Sequence, residues 1–402
     1  MEIKYKNIEN KIFIVQDNSI PITYISILFL VGNYLEKPNN MGINNLCFKT
    51  IVRSTKSMNY DSFQYYLEKN SVSLSSSTGN FSSGISISFP FYNYKKAVDI
   101  LKEVLTNYKF RYEDIDESKR DLINSIKISR DDVWTYLYEN ADTVFYNSFL
   151  SWDTRGTPKT LKEITRNNLI SWMESKVLSK NVKKIIVVSG YCNENLEKYL
   201  YKHFNKILQI DHNYYDMMKN FDIKTSKKTK NLGKKETGIA FVYQAPSISL
   251  ESIKFKILNG ILSSMSGRLF INIREKKELA YAITSVYDPI PFGKGNIKLL
   301  MLTSKEKKKE AINALKQEIL NIINNGFNKD ELETAKNYII GLFASALQKR
   351  SFRNAILAKI KAYNLPDEYL TKHIDIIKKT SIDEINDLRN VFKTKESIFI
   401  VE

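Results

Sequence analysis

The sequence predicts an α+β protein with two homologous lobes, each an antiparallel sheet with helices packed on one face. Its 402 residues exceed what one hydrophobic core usually supports, so two domains of about 200 residues are expected. One order of strands and helices also occurs twice along the chain. A shift of 212 residues aligns Val188 with Ile400, and a shift of 217 residues aligns FRYEDIDESKR with FNKDELETAKN. These observations indicate two copies of one unit.

The first half begins with two apolar runs, KIFIVQ and TYISILFLVG, which predict two neighbouring strands with a turn between them. Ser71 to Phe89 predicts another pair of strands, broken at Gly79-Asn80. The run KKIIVVSG predicts a buried strand, and ENLEKYLYKHFNKI predicts a helix after it. Apolar residues recur with helical spacing over 42–55, 60–70, 93–107 and 112–147.

Residues 208–236 separate the predicted lobes, because this stretch loses its apolar periodicity and carries six lysines from Lys224 to Lys235. We therefore expect an N-terminal lobe at 1–207, an exposed linker, and a C-terminal lobe at 237–402. The second lobe repeats the pattern, with a first strand, GIAFVYQAP, and a last strand, SIFIVE. Between them the sequence predicts helices at 250–263 and around 268–279, strands near 281–287 and 296–303, and long helices to 392.

Composition narrows the class of protein. Hydrophobic residues make up 43% and charged residues 26%, which is typical of a folded globular chain. Only Cys47 and Cys192 are present, too few for a disulfide framework, and we expect ordinary buried thiols in a reducing compartment. The sequence shows no export signal and no membrane span, which predicts a soluble cytoplasmic protein. The net charge of +17 accompanies a general abundance of Lys, Asn, Ile and Tyr, so neither nucleic acid nor membrane is expected as a partner.

Three segments carry a resemblance to a known family: VGNYLEKPNNMGINNLCFK, GRLFINIREKKELAYAITS and FNKDELETAKNYIIGLFASAL. Together with the repeated order of elements, they resemble the insulinase/pitrilysin family of metallopeptidases, in particular its bacterial and mitochondrial-processing-peptidase branch. The resemblance covers nearly the whole chain. It implies that the two lobes form half of a clamshell.

Active members of that family carry His-x-x-Glu-His on a helix, where two histidines hold zinc and the glutamate takes a proton from the bound water. The aligned positions here are Asn45, Phe48 and Lys49, and the region aligned with a further glutamate ligand contains Ser125. Neither histidine is present, and the cation of Lys49 would oppose Zn²⁺. The resemblance therefore implies no catalytic residue, metal or cofactor in this chain. Three histidines lack metal-ligand spacing, and the first and last are expected at a partly exposed surface: His203, His212 and His373.

Arg274 and Tyr281 match a family pair that holds the substrate backbone and helps to stabilise the oxyanion at the scissile carbonyl. An arginine fork and a phenolic hydroxyl are suitable donors for that task. The simpler interpretation is that Arg274 pairs with Glu275 or Glu278 at the surface and that Tyr281 is an ordinary sheet residue. By the same resemblance, the strand pair around Ser75 to Phe89 includes an edge strand that takes up substrate.

The resemblance implies a zinc-free subunit of a heterodimeric peptidase, inactive alone, which supplies Arg274 and Tyr281 to a homologous zinc-bearing partner. The expected substrates are unfolded peptides or presequences, and zinc is expected in the partner only. Two alternatives stay open. One is a purely structural subunit like the core proteins of the respiratory cytochrome complex, although the retained arginine and tyrosine argue against it. The other is a maturation factor for one ribosomally made precursor peptide.

Overall fold

The computed structural model describes residues 4–209 and 221–402. Their strands are β1 (Lys6–Ile8), β2 (Ile12–Gln16), β3 (Ile22–Phe29), β4 (Ser73–Thr78), β5 (Ser83–Pro90), β6 (Lys184–Gly190), β7 (Lys227–Lys230), β8 (Glu236–Ala245), β9 (Ala282–Asp288), β10 (Gly295–Ser304) and β11 (Ser397–Val401). Their α-helices are α1 (Ile43–Ile51), α2 (Tyr60–Lys69), α3 (Tyr94–Thr106), α4 (Tyr112–Asp131), α5 (Val133–Asn140), α6 (Pro158–Glu163), α7 (Arg166–Trp172), α8 (Glu194–Phe204), α9 (Ser252–Ser263), α10 (Lys308–Asn325), α11 (Lys329–Gln348), α12 (Arg350–Ala362), α13 (Glu368–Thr371), α14 (His373–Lys379) and α15 (Ile382–Leu388). The predicted strands and helices are present, but the helix predicted over 112–147 is divided into α4 and α5. The helix predicted around 268–279 is a shorter π-helical segment, Phe270–Glu275.

The first compact unit contains a six-stranded sheet with the order β1-β2-β6-β3-β5-β4. Ile25 at its centre lies opposite Ile87 on β5 and Val188 on β6, and all three side chains are fully buried. The sheet is antiparallel except for β2 and β6, which pair in parallel. The prediction that β2 and β3 are neighbours is wrong, since β6 lies between them. Every residue of β6 is buried, so this strand takes the central position.

The second compact unit contains a five-stranded sheet with the order β7-β11-β8-β10-β9. This order repeats β2-β6-β3-β5-β4 of the first sheet, including the single parallel pair at one side. Ile400 lies opposite Ile239, as Val188 lies opposite Ile25 in the first sheet. The predicted α+β class and its two similar lobes are thereby confirmed.

Each unit includes a helix from the other half of the chain. The described residues of the first unit are 4–126, 153–209 and 346–370, and α12 packs on its strands β6 and β3. The second unit includes 127–152, and α5 packs on its strands β8 and β11. The two helices are equivalent in the repeat, because a shift of 217 residues aligns Val133 with Arg350.

The structure describes only part of the predicted linker at 208–236, and that part includes a strand. Residues 210–220 are outside it, and Lys227–Lys230 form β7 at one edge of the second sheet. The division of the sequence at 207 and 237 stays a prediction.

The exchanged segments are held by buried polar groups as well as by apolar contact. On α12, the Asn354 amide donates to the Val187 carbonyl oxygen at 2.7 Å and to that of Tyr24 at 3.1 Å. In the second unit, the Lys298 ammonium lies 2.7 Å from a carboxylate oxygen of Asp142, just after α5. Both Asn354 and Lys298 are buried, so each exchanged segment is fixed by directional contacts.

Candidate functional site

Arg274 lies in the π-helical segment Phe270–Glu275 and is exposed to solvent. Its guanidinium carbon lies 4.9 Å from the centroid of the Phe270 ring, a cation–π contact that supports the side chain from one side. No described carboxylate forms an ion pair with Arg274, and this includes Glu275 and Glu278. Among the described residues, none accepts a hydrogen bond from the five donors of this guanidinium.

Tyr281 directly precedes β9, the edge strand of the second sheet, and is 58% exposed. Its backbone N–H donates to the Leu302 carbonyl oxygen at 2.8 Å, which holds this position in register with β10. Among the described residues, none is hydrogen-bonded to its hydroxyl group. The phenol is thus fixed at its base and accessible at its tip.

A hydrogen-bonded turn joins the two candidate residues. The N–H of Glu278, a residue with φ of 53°, donates to the Arg274 carbonyl oxygen at 3.1 Å, and the N–H of Leu279 donates to that of Ile273 at 3.2 Å. Lys307 donates to the Glu278 carbonyl oxygen at 3.0 Å, and Leu279 is buried. The backbone of this turn is therefore fixed, while its arginine and tyrosine side chains stay exposed.

The positions aligned with the zinc motif lie on α1 of the first unit. Phe48, aligned with the proton acceptor, is 1% exposed and packs edge-on against Phe29 with ring centroids 5.7 Å apart. Asn45 and Lys49 are half-buried on the same helix. The side chain at the acceptor position thus belongs to the hydrophobic core.

Lys49 faces α4, the helix that carries the region aligned with the further zinc ligand. Its ammonium lies 3.1 Å from a carboxylate oxygen of Asp121, which lies one helical turn before Ser125. The Ser125 hydroxyl donates to the Leu122 carbonyl oxygen of its own helix at 2.8 Å. The two helices that would carry metal ligands are therefore linked by a cation and a carboxylate. Within the described ranges, no group of three or more His, Cys, Asp or Glu side chains is arranged to hold a metal ion.

The other predicted candidates are placed as follows. Cys47 and Cys192 are free and buried, as expected. His203 is partly exposed, as expected, and His212 lies outside the described residues. The prediction of a surface position for His373 is wrong, because this residue is 1% exposed. Its ring stacks on Phe343 with centroids 4.1 Å apart, and this contact explains its burial.

Glu36 is a buried charged group that the sequence analysis missed. Its two carboxylate oxygens accept the backbone N–H groups of Gly42 and Asn44 at 2.9 Å each, at the start of α1. Gly42 has φ of 88°, and an added Cβ would lie 2.4 Å from the Arg155 carbonyl oxygen, so the position requires glycine. Burial raises the pKa of Glu36 to about 7, although the two backbone hydrogen bonds act to lower it. Only a Glu six residues before a Gly signals this contact in the sequence.

The predicted strand pair around Ser75 to Phe89 is β4 and β5, and β4 is an edge strand, as expected. Its residues alternate between exposed and half-buried. β9, next to Tyr281, is likewise an edge strand. The equivalent strands β4 and β9 of the repeat are thus both edge strands.

The repeated α+β fold agrees with the metallopeptidase class that the sequence resembles, and Asn45, Phe48 and Lys49 are the residues that this resemblance aligns with a zinc motif. Two family models match it: residues 11–147 match the insulinase model (peptidase family M16), and residues 163–339 match the peptidase M16 inactive domain. The chain belongs to the insulinase family, peptidase family M16.

Relatives with curated names are similar over most of this chain. The protein named non-peptidase homolog YmxG from Helicobacter pylori is 23% identical over 389 residues, which cover 92% of this chain and 86% of the relative. An uncharacterized zinc protease from Rickettsia bellii is 22% identical over 354 residues, which cover 86% of this chain and 84% of the relative.

Solved structures show the same fold. A crystal structure described as a peptidase M16 inactive domain from Pseudomonas fluorescens has a TM-score of 0.88 at 15% identity, covering 100% of this chain and 98% of that one. The structure of a protease from Helicobacter pylori has a TM-score of 0.83 at 15% identity, covering 99% of each chain. In the described part of the chain, no helix is both long enough and apolar enough to cross a membrane.

Proposed function

We propose that this chain is the zinc-free subunit of a two-subunit insulinase-family peptidase. In this role it contributes Arg274 and Tyr281 to the zinc site of a homologous partner. The observation that carries the proposal is the exposure of both side chains on a turn whose backbone is hydrogen-bonded in place. An exposed arginine and tyrosine held in this way are prepared to bind a group that another molecule supplies.

The chemistry assigned to the pair is hydrogen-bond donation to an extended peptide. The guanidinium and the phenol donate to backbone carbonyl oxygens, including the one that becomes negatively charged during hydrolysis. The positions aligned with the two histidines do not fit zinc, since they hold an amide, Asn45, and a cation, Lys49, which is paired with Asp121. The position aligned with the proton acceptor, Phe48, lies in the core. The proposal therefore assigns the metal to the partner and no chemical step to α1.

Two observations weigh on the alternatives. A purely structural subunit has no need for an unpaired arginine at a fixed surface turn, so the geometry at Arg274 favours substrate binding. A factor for one precursor peptide uses the same pair, and differs only in the range of peptides it accepts. The name non-peptidase homolog, borne by one relative, agrees with a chain that lacks a catalytic site of its own.

The test is reconstitution with a zinc-bearing homologue and cleavage of a set of quenched fluorescent peptides. We expect cleavage by the pair, none by this chain alone, and a turnover reduced about 100- to 1,000-fold by Arg274→Ala or Tyr281→Phe. Lys276→Ala, a neighbouring exposed cation, is the matched control and should leave turnover unchanged. Wild-type turnover from a pair that carries both substitutions would reject the substrate-binding role and leave the structural alternative.

A further inference from the structure

No described strand covers the outer edge of β7 in the second sheet, whereas β1 covers the equivalent edge of β2 in the first sheet. In the first sheet, β1 pairs antiparallel with the outer edge of β2, so that Asn7 lies opposite Phe13. β7 takes the place of β2 in the repeat, since each pairs in parallel with the strand inside it. No described strand pairs with the other side of β7. The position that β1 occupies in the first sheet thus recurs in the second sheet, but no described strand occupies it there.

The chain just before β7 is engaged elsewhere. β1 precedes β2 and is joined to it by a short turn. By analogy, the segment just before β7 is the one expected to pair with the outer edge of β7. Ile223 instead forms an antiparallel bridge with Tyr146, and the Lys224 N–H donates to the Phe145 carbonyl oxygen at 2.7 Å. Residues 221–226 are therefore not placed to cover β7.

The backbone groups at this edge can be identified from the pairing with β11. The N–H of Ile398 donates to the Ser226 carbonyl oxygen and that of Glu402 to the Lys230 carbonyl oxygen, each at 2.9 Å. Even-numbered residues of β7 thus face β11. In a parallel pair the residues between them point their N–H and C=O groups the other way. Lys227 and Thr229 therefore point their backbone donors and acceptors outward, where no described strand pairs with them.

The side chains of this edge determine which strand fits. β2 is buried at four of five residues, whereas all four residues of β7, KKTK, are exposed. Lys227, Lys228 and Lys230 form no ion pair with a described carboxylate. Three lysines on an edge strand repel a second copy of the same strand, which is a known protection against aggregation. The same charges attract a strand that carries acidic side chains.

We propose that the β7 edge is a second peptide-binding site, which takes up an extended acidic segment of another polypeptide as an antiparallel strand. The bound segment takes the place that β1 has in the first sheet. Its backbone pairs with Lys227 and Thr229, and its carboxylates lie against Lys228 and Lys230, which share one face of the strand, while Lys227 adds positive charge on the other face. The site is at the opposite end of the sheet from β9 and Tyr281, so it does not depend on the proposed catalytic role.

The test uses a fluorescein-labelled octapeptide of alternating glutamate and valine, titrated with the full chain and followed by fluorescence anisotropy. Valine favours the extended conformation, and glutamate supplies the charge. We expect saturable binding that weakens at least tenfold when Lys227, Lys228 and Lys230 are all changed to alanine. The control removes the same charge from exposed lysines elsewhere, Lys95→Ala, Lys159→Ala and Lys202→Ala, and should leave the affinity unchanged.

Strand pairing is separated from simple charge attraction by two further measurements. Thr229→Pro removes an outward N–H and should weaken binding at least tenfold while thermal stability stays near that of the wild type. The same octapeptide with N-methyl groups on alternate residues keeps its charge but loses its pairing edge, and it should bind at least tenfold more weakly to the unchanged protein. Equal binding of the methylated peptide would overturn the proposal. So would absence of binding, or stronger binding of duplex DNA or phosphatidylserine vesicles through the same lysines.

Discussion

Asn354 on the exchanged helix α12 gives a direct test of how the first unit is held together. Its amide donates to two carbonyl oxygens of neighbouring strands, Val187 at 2.7 Å and Tyr24 at 3.1 Å. Its carbonyl oxygen accepts the hydroxyl of Ser189, a fully buried residue. Asn354→Ala removes these three contacts, together with a longer one to the Ser26 hydroxyl at 3.3 Å, and leaves Ser189 without this acceptor.

The size of the effect follows from these contacts. Two lost hydrogen bonds cost about 1 kcal/mol each, and a buried hydroxyl without its partner costs about 1–3 kcal/mol more. We therefore expect the free energy of unfolding of the first unit to fall by roughly 3–5 kcal/mol. That is a large part of the roughly 5–15 kcal/mol that stabilises a typical domain.

Amide hydrogen exchange across β6 measures this change within one unit, and so avoids assuming that both units unfold together. Ser351→Ala, at an exposed position on the same helix, is the control and should alter exchange little. If Asn354→Ala changes the opening free energy of β6 by less than about 1 kcal/mol, the value expected for one hydrogen bond, the buried amide does not hold the helix.

Three further predictions concern charge and metal. Burial raises the pKa of Glu36 from 4.5 to about 7, so its contribution to stability is fully present below pH 4.5 and is lost as the pH rises through about 7. In urea unfolding, the free energy of unfolding of the wild type should fall by about 3 kcal/mol over that pH range, and Glu36→Gln should abolish this fall. Equal pH profiles of the wild type and the variant would contradict the prediction. Lys298→Ala removes a buried ammonium and leaves the half-buried carboxylate of Asp142 without this ion pair, which should cost about 3 kcal/mol in thermal unfolding, unlike exposed Lys316→Ala; equal melting temperatures would refute this. The purified chain alone should hold no stoichiometric zinc. Elemental analysis that finds about one zinc per chain would contradict this prediction.

Local structure was predictable because it depends on residues close together in sequence. The helical spacing at 60–70 and 93–107 gave α2 and α3 nearly to the residue, and Gly79-Asn80 marked the turn between β4 and β5. The two shifts that aligned the halves also proved informative, because strand order and parallel pairing are the same in both sheets. Repetition is visible in sequence since each copy keeps its own apolar pattern.

Contacts between residues that are distant in sequence were harder to predict. KIFIVQ and TYISILFLVG are joined by a short turn, which favours a hairpin, but the fully buried strand β6 separates them. His373 lies among charged residues in sequence, and its burial depends on Phe343, thirty positions away. The ion pair of Lys49 with Asp121 likewise joins helices distant in sequence. Such partners are set by tertiary packing, which periodicity does not report.

The exchange of α5 and α12 bears on how such a chain arises. A single repeat that donates this helix to a neighbouring sheet leaves its own sheet uncovered there, so it is complete only beside a second copy. Gene duplication and fusion would convert such a domain-swapped homodimer into one polypeptide. The same logic predicts fragment complementation: polypeptides 1–209 and 221–402, expressed together, should assemble into both units, whereas either one expressed alone should lack a helix that its sheet requires.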